Sequence, residues 1–91
     1  MKMNDVITIV AGNGTEYVGK FLAEAPETVT VGNPHIVTPD NGNLGFMPTV
    51  AMTGEPRVDQ VTFNKSQILL VVKTAEEVAK EYVKSSSGII I

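Results

Sequence analysis

The pair Asn13-Gly14 constrains this chain more than any other feature. It separates the β-branched run Val6-Ile7-Thr8-Ile9-Val10 from an alternating run that begins at Thr15. Both residues of the pair accept the positive φ that a tight hairpin turn requires, so the flanking runs read as two antiparallel strands. The first run is apolar on both faces, the pattern of a strand buried on two sides. In the second, Tyr17, Phe21 and Ala23 share one face, with Gly19 between them. Glu16, Lys20 and Glu24 share the other face with Val18 and Leu22. A glycine inside a strand marks a bend, a bulge or a close backbone approach. Ala25-Pro26-Glu27 then breaks the run, because proline donates no ladder hydrogen bond and restricts the residue before it. Thr28-Val29-Thr30-Val31 alternates again, so residues 6–31 predict a three-stranded meander.

The spacing Gly12-x-Gly14 is not a dinucleotide loop. Tyr17 stands where a third glycine belongs, and a strand pattern follows instead of the helix whose N-terminus would hold the pyrophosphate. Further on, Gly32-Asn33-Pro34 interrupts the third strand, and His35-Ile36-Val37-Thr38 resumes it beyond a bulge. Pro39-Asp40-Asn41-Gly42-Asn43 reads as a loop dense in turn formers. Residues 46–53 are strand-like, with Pro48 confining them to an edge or a bulge. Residues 58–63 and 68–72 are the last strands, joined by Asn64-Lys65-Ser66-Gln67. Ile68-Leu69-Leu70-Val71-Val72 is apolar on both faces. That calls for cover from a C-terminal helix or from a neighbouring subunit.

Thr74-Ala75-Glu76-Glu77 has the form of a capping box, and Ala75, Val78, Ala79, Tyr82 and Val83 recur at helical spacing. The expectation is one domain over residues 1–91: strands over roughly 5–73, a helix over roughly 75–84, and an apolar tail at 88–91. The tail Ile89-Ile90-Ile91 would add a strand or pack on a partner.

The residues point away from an enzyme. His35 is the single histidine and, next to Pro34, reads as a loop or surface residue. The chain has no cysteine to complete a metal cluster. The carboxylates are scattered, with Glu24 and Glu27 flanking a turn and Glu76, Glu77 and Glu81 on a solvated helix face. Asp59 reads as an outward-pointing strand residue, and no base stands beside Ser66 or the run Ser85-Ser86-Ser87. No cofactor is implied. Asn13-Gly14-Thr15 and Asn64-Lys65-Ser66 match the glycosylation pattern, which turn preference explains. The apolar run after Met1-Lys2-Met3-Asn4-Asp5 is too short for a signal or membrane segment, so a cytoplasmic location and no membrane partner are expected.

Net charge is −3, which argues against a generic charge-driven nucleic-acid binder while leaving room for a local basic ring. Lys65 carries that possibility. It lies in a tight polar turn beside Asn64 and Gln67, whose amides donate and accept. In a monomer this is a solvated turn. In a ring it would recur once per subunit as a band able to hold single-stranded RNA.

Residues 10–21, reading VAGNGTEYVGKF, resemble the first motif of the Sm and Sm-like (LSm, Hfq-type) family: a hydrophobic strand, an Asn-Gly turn, then apolar, any residue, Gly, any residue, apolar. Asn13, Gly14, Tyr17, Gly19 and Phe21 fit it. Val61-Thr62-Phe63-Asn64-Lys65-Ser66-Gln67-Ile68 resembles the second, in which a short basic turn joins the last two strands. The resemblance implies an SH3-type, bent five-stranded antiparallel barrel, here with a C-terminal helix. It also implies homo-oligomeric rings in which the fourth strand of one subunit pairs with the fifth of the next, and a pore that binds single-stranded RNA or possibly DNA. Asn64 and Lys65 would line that pore, with Thr28 and Glu27 nearby. The chain departs from the family at residues 25–28, where an Asp and an Asn usually help hold a base. It also departs in placing its helix after the last strand, and in the length of the segment 39–57. The alternative is a structural or protein-interaction ring of the same barrel with no nucleic-acid role. A third reading is a monomeric adaptor with a peptide groove, which the dispersed aromatic residues disfavour.

Overall fold

The computed structural model describes residues 1–51, 53–55 and 58–86. Met52, Pro56, Arg57 and the tail with Ile89-Ile90-Ile91 lie outside the described residues. The described residues form six antiparallel strands and a helix that follows them. The strands are β1 (Val6–Ala11), β2 (Glu16–Glu24), β3 (Thr28–Asp40), β4 (Asn43–Met47), β5 (Gln60–Asn64) and β6 (Ile68–Lys73). A short 3-10 turn (Lys65–Gln67) joins β5 to β6, and α1 spans Glu76–Ser86. The sheet runs β4-β3-β2-β1-β6, and β5 pairs with β3 beside that path. Six strands stand where the family resemblance implies five, because the partner of β3 comes in two pieces. β5 pairs with its first half, Thr28 opposite Asn64 through Gly32 opposite Gln60, and β4 pairs with its second half. Among the described residues of the strand expected over 46–53, only Phe46 and Met47 are β-structure.

The two glycine turns differ in kind. Between β1 and β2 only Gly14 takes a positive φ, at 91°, while Asn13 does not, and the Ala11 N–H reaches the Thr15 carbonyl. This is a three-residue loop closed by a left-handed glycine, not the two-residue turn that Asn13-Gly14 suggests. The two-residue turn is at Asn41 and Gly42, both at positive φ, between paired Asp40 and Asn43. The expected loop over 39–43 therefore shrinks to its two central residues.

β3 is bent where the interruption was expected. Val18 pairs with His35 and Lys20 with Gly32, so two residues of β3, Asn33 and Pro34, oppose the single Gly19. Asn33 sits at φ 46°, and an Asn tolerates that left-handed conformation at such a bulge. Gly19 is the close backbone approach that lets β2 and β3 fold over together.

The bend creates two apolar layers. On the concave face Ile7, Ile9, Val29 and Val31 are buried, with Tyr17, Phe21, Phe63, Ile68 and Val71 packed around them. The Tyr17 and Phe63 rings meet edge to face at 5.1 Å. On the convex face α1 presses Tyr82, fully buried, against His35 and Phe46. Fully burying side chains of this size stabilises by about 1.5–3 kcal/mol each. Val18 and His35, paired across β2 and β3 on the same face, are buried as well. His35 is thus a core residue, correcting its surface reading. The bulge at 33–34 resets the strand's alternation and turns the imidazole into the helix-covered layer.

The helix is held by specific polar contacts. The Tyr82 hydroxyl donates to the Asn33 carbonyl at 2.7 Å, and His35 Nδ1 lies 3.0 Å from the same oxygen. Thr74, expected to cap the helix, has its hydroxyl 2.9 Å from that of Thr8 on β1, and its N–H donates to the Val6 carbonyl. Glu76 and Glu77 in the first turn and Lys84 in the last complement the helix dipole. No described helix is long and apolar enough to cross a membrane.

Candidate nucleic-acid interface

The turn after β5 is built by local chemistry. Asn64 is extended and its side-chain Oδ1 accepts from the Ser66 N–H at 3.0 Å, capping the 3-10 turn. With the oxygen committed, the amide N–H groups are what Asn64 offers outward. Gln67 is fixed through its carbonyl, which accepts from the Gly12 N–H at 2.8 Å, tying this turn to the β1–β2 loop. The Lys65 N–H donates to the Glu27 carbonyl at 2.9 Å, tying it equally to the β2–β3 turn.

Asn64 and Lys65, expected to line a pore, lie here beside Thr28 and Glu27, expected nearby. Thr28 opposes Asn64 in the β3–β5 ladder, and Glu27 and Lys65 are joined by the backbone hydrogen bond just described. The cluster extends along one face of the ladder, where the Thr30 and Thr62 hydroxyls lie 3.1 Å apart. Thr28, Thr30, Thr62 and Asn64 form a polar stripe on the face opposite Val29, Val31 and Phe63. The alternation of 28–31 and 60–64 carried this stripe in the sequence, yet Thr30 and Thr62 were not singled out.

Sequence reasoning also missed the partner of Lys65. Its Nζ lies 2.7 Å from Glu24 Oε2, at the end of β2. The ammonium holds the Glu24 carboxyl below its ordinary range, first by this hydrogen bond and then by charge attraction. The two side chains remain partly exposed, so screening keeps the pair weak. Basic and acidic residues forty-one positions apart gave no sign of it in the sequence.

A hollow lies on each side of the turn. One, of about 350 Å³, has Phe21, Val29, Ile68 and Val71 for walls and Glu24 and Lys65 at the same opening. The other, of about 300 Å³, is lined by Asn13, Tyr17, Phe63, Asn64 and Gln67, combining three amides with two aromatic rings. Both are small for ligand sites, which usually run from roughly 300 to 1,000 Å³.

The strand that follows the turn is the second element of the candidate site. β6 ends the sheet path and pairs on one side with β1. Its register slips between Val10 and Ala11, so that Leu69 is an extra residue opposite them. Leu69 is 68% exposed, Leu70 46% and Val72 47%, while Ile68 and Val71 pack on the core. Of the two covers expected for this strand, the helix docks elsewhere, through Tyr82 over β3 and β4. Among the described residues no group of His, Asp or Glu side chains is arranged to hold a metal ion. No protein-family model matches the chain, and no curated protein matches it.

Proposed function

We propose that this chain is a ring-forming Sm-like subunit that binds single-stranded RNA, with assembly at β6 and the RNA contact at the Asn64–Lys65 turn. One observation carries the reading: the strand with the exposed apolar edge begins where the polar turn ends. Copies joined through β6 would bring their turns together, and a cluster that is a minor feature of one subunit would become a repeated band. An edge strand exposing three large apolar side chains is a poor free surface and a good pairing surface. The order β6-β1-β2-β3, with β5 returning to β3 and a 3-10 turn leading into β6, is compatible with the bent Sm-like barrel that the two motifs resemble.

A second reading, a ring that joins proteins and holds no nucleic acid, is favoured by the Glu24–Lys65 pair, which offsets the basic charge of the turn. Light scattering on the purified protein, with fluorescence anisotropy of labelled oligo-U and oligo-A at low salt, separates the readings. Ring formation and RNA binding that weakens steeply with salt support the first. Assembly that survives Lys65→Ala and Asn64→Ala, with RNA binding lost, locates the contact. Assembly without any binding leaves the protein ring, and a monomer at micromolar concentration sinks both.

A further inference from the structure

We infer that Glu24 is a built-in competitor for RNA at this turn: in the free protein its carboxylate occupies the place on Lys65 that a phosphate takes. This rests on the RNA-binding reading and adds a regulating residue to that site. The Lys65 ammonium is directly ion-paired at 2.7 Å, a charge-assisted contact of the same kind that a phosphate oxygen would make. Both anions are acceptors for the same donor, so a phosphate that engages Lys65 must displace Glu24 or share the ammonium with it.

Geometry keeps the competitor in place. Glu24 is the last residue of β2 and pairs with Val29 across the ladder, while Lys65 is anchored by its N–H to the Glu27 carbonyl. Two backbone-fixed elements therefore hold the side chains within reach, and neither needs a loop to move. The rest of the local field is also unfavourable to a phosphate. Glu27 follows Glu24 in the adjoining turn and adds a second carboxylate, while the Met1 amino group, the further cation that acts on Glu24, offsets part of that negative charge. The turn as folded binds RNA below the capacity of its own lysine, and removing one carboxylate releases that capacity. Because the pair is partly exposed, the suppression is modest, about two- to fivefold, the range measured for exposed ion pairs.

The experiment measures the affinity of fluorescein-labelled oligo-U and oligo-A by anisotropy for the full chain and four variants: E24Q, E16Q, K65A and E24Q/K65A. Glu16 sits at the opposite end of β2, across the bend at Gly19. E16Q thus controls for the loss of one negative charge. The expected result is that E24Q binds about two- to fivefold tighter than the unmodified protein, E16Q binds as the unmodified protein does, and E24Q/K65A binds no better than K65A. Equal or weaker binding by E24Q overturns the inference while leaving the RNA reading intact. So does an equal gain from E16Q, or a gain that persists without Lys65. If neither the unmodified protein nor E24Q binds either oligonucleotide at low salt, the RNA reading itself is lost and the inference falls with it. Circular dichroism confirms that each variant is folded before its result counts.

Discussion

A methyl group added at Gly19 would collide with Val31 Cγ1, and would lie 2.9 Å from the Gly32 carbonyl oxygen and 3.2 Å from Pro34 Cα. None of the three can move away cheaply. Val31 is β-branched, with few rotamers, and is 1% exposed in the concave core. The other two atoms are backbone at the bulge that bends β3. Overpacking of this kind costs about 1–3 kcal/mol. Restricting the unfolded chain returns about 0.7 kcal/mol, so from the middle of the overpacking range, about 2 kcal/mol, Gly19→Ala is left destabilised by about 1.3 kcal/mol. For a domain of this size that lowers Tm by roughly 5–10 °C. Thermal unfolding followed by circular dichroism, at one fixed protein concentration so that assembly does not shift the comparison, reads the change. Gly12→Ala is the control, since its added methyl would have its nearest neighbour, the Gln67 carbonyl oxygen, at 3.6 Å. A double-mutant cycle with Val31→Ala identifies the cause: the pair should be less destabilised than the sum of the singles by at least about 0.5 kcal/mol. Gly19→Ala melting within 2 °C of the unmodified protein would refute the steric account of the bend.

Three further outcomes follow from the same packing. Tyr82→Phe removes the donor to the Asn33 carbonyl and should cost about 1 kcal/mol, whereas Tyr82→Ala should cost about 3–5 kcal/mol; hydrogen exchange of α1 amides reports whether the loss is the helix undocking. For the proposed ring, Leu70→Lys should abolish oligomers in light scattering while leaving the circular dichroism spectrum intact, and unchanged oligomers would remove β6 from the interface. Glu24 and Asp5 both have carboxyls held below their ordinary values, Glu24 by Lys65 and Asp5 by the Lys2 backbone N–H. A depressed folded value gives stability that is present above the unfolded value and lost as pH falls through the folded one. The urea midpoint should thus be level at neutral pH and decline below about pH 4.5. Lys65→Ala should show a shallower decline, and an identical one would mean that the ion pair contributes nothing in solution.

Much of the architecture was legible because period-2 alternation is a local signal. Residues 6–31 predicted β1, β2 and the start of β3, and Gly19 and the break at 32–34 marked the two sides of one bulge. Turn geometry was less legible. Asn13-Gly14 and Asn41-Gly42 are the same dipeptide, and flanking register, not the pair itself, decides that only the second is a two-residue turn. The burial of His35 could not be read at all, since it depends on which face α1 covers, and that is settled by Tyr82 reaching Asn33 from forty-nine residues away. At the candidate site the family resemblance singled out Asn64 and Lys65 with Thr28 and Glu27 nearby, and the β3–β5 pairing and the Lys65–Glu27 backbone bond place these four side by side. Glu24 escaped because an ion pair between a strand end and a distant turn has no sequence spacing.

The split partner of β3 has a consequence for how this chain tolerates change. β4 takes its register from the Asn41-Gly42 turn, and β5 takes its own from Thr28 to Gly32, with the Asn33 N–H fastened to the Asp59 carbonyl. No described residue of the segment 48–58 between them belongs to either ladder. Lengthening that segment adds only loop-closure entropy, about 0.6 kcal/mol per doubling. The sheet therefore carries a permissive seam through its own middle, where a tag, an epitope or a whole folded insert could be spliced while every ladder on either side keeps its alignment.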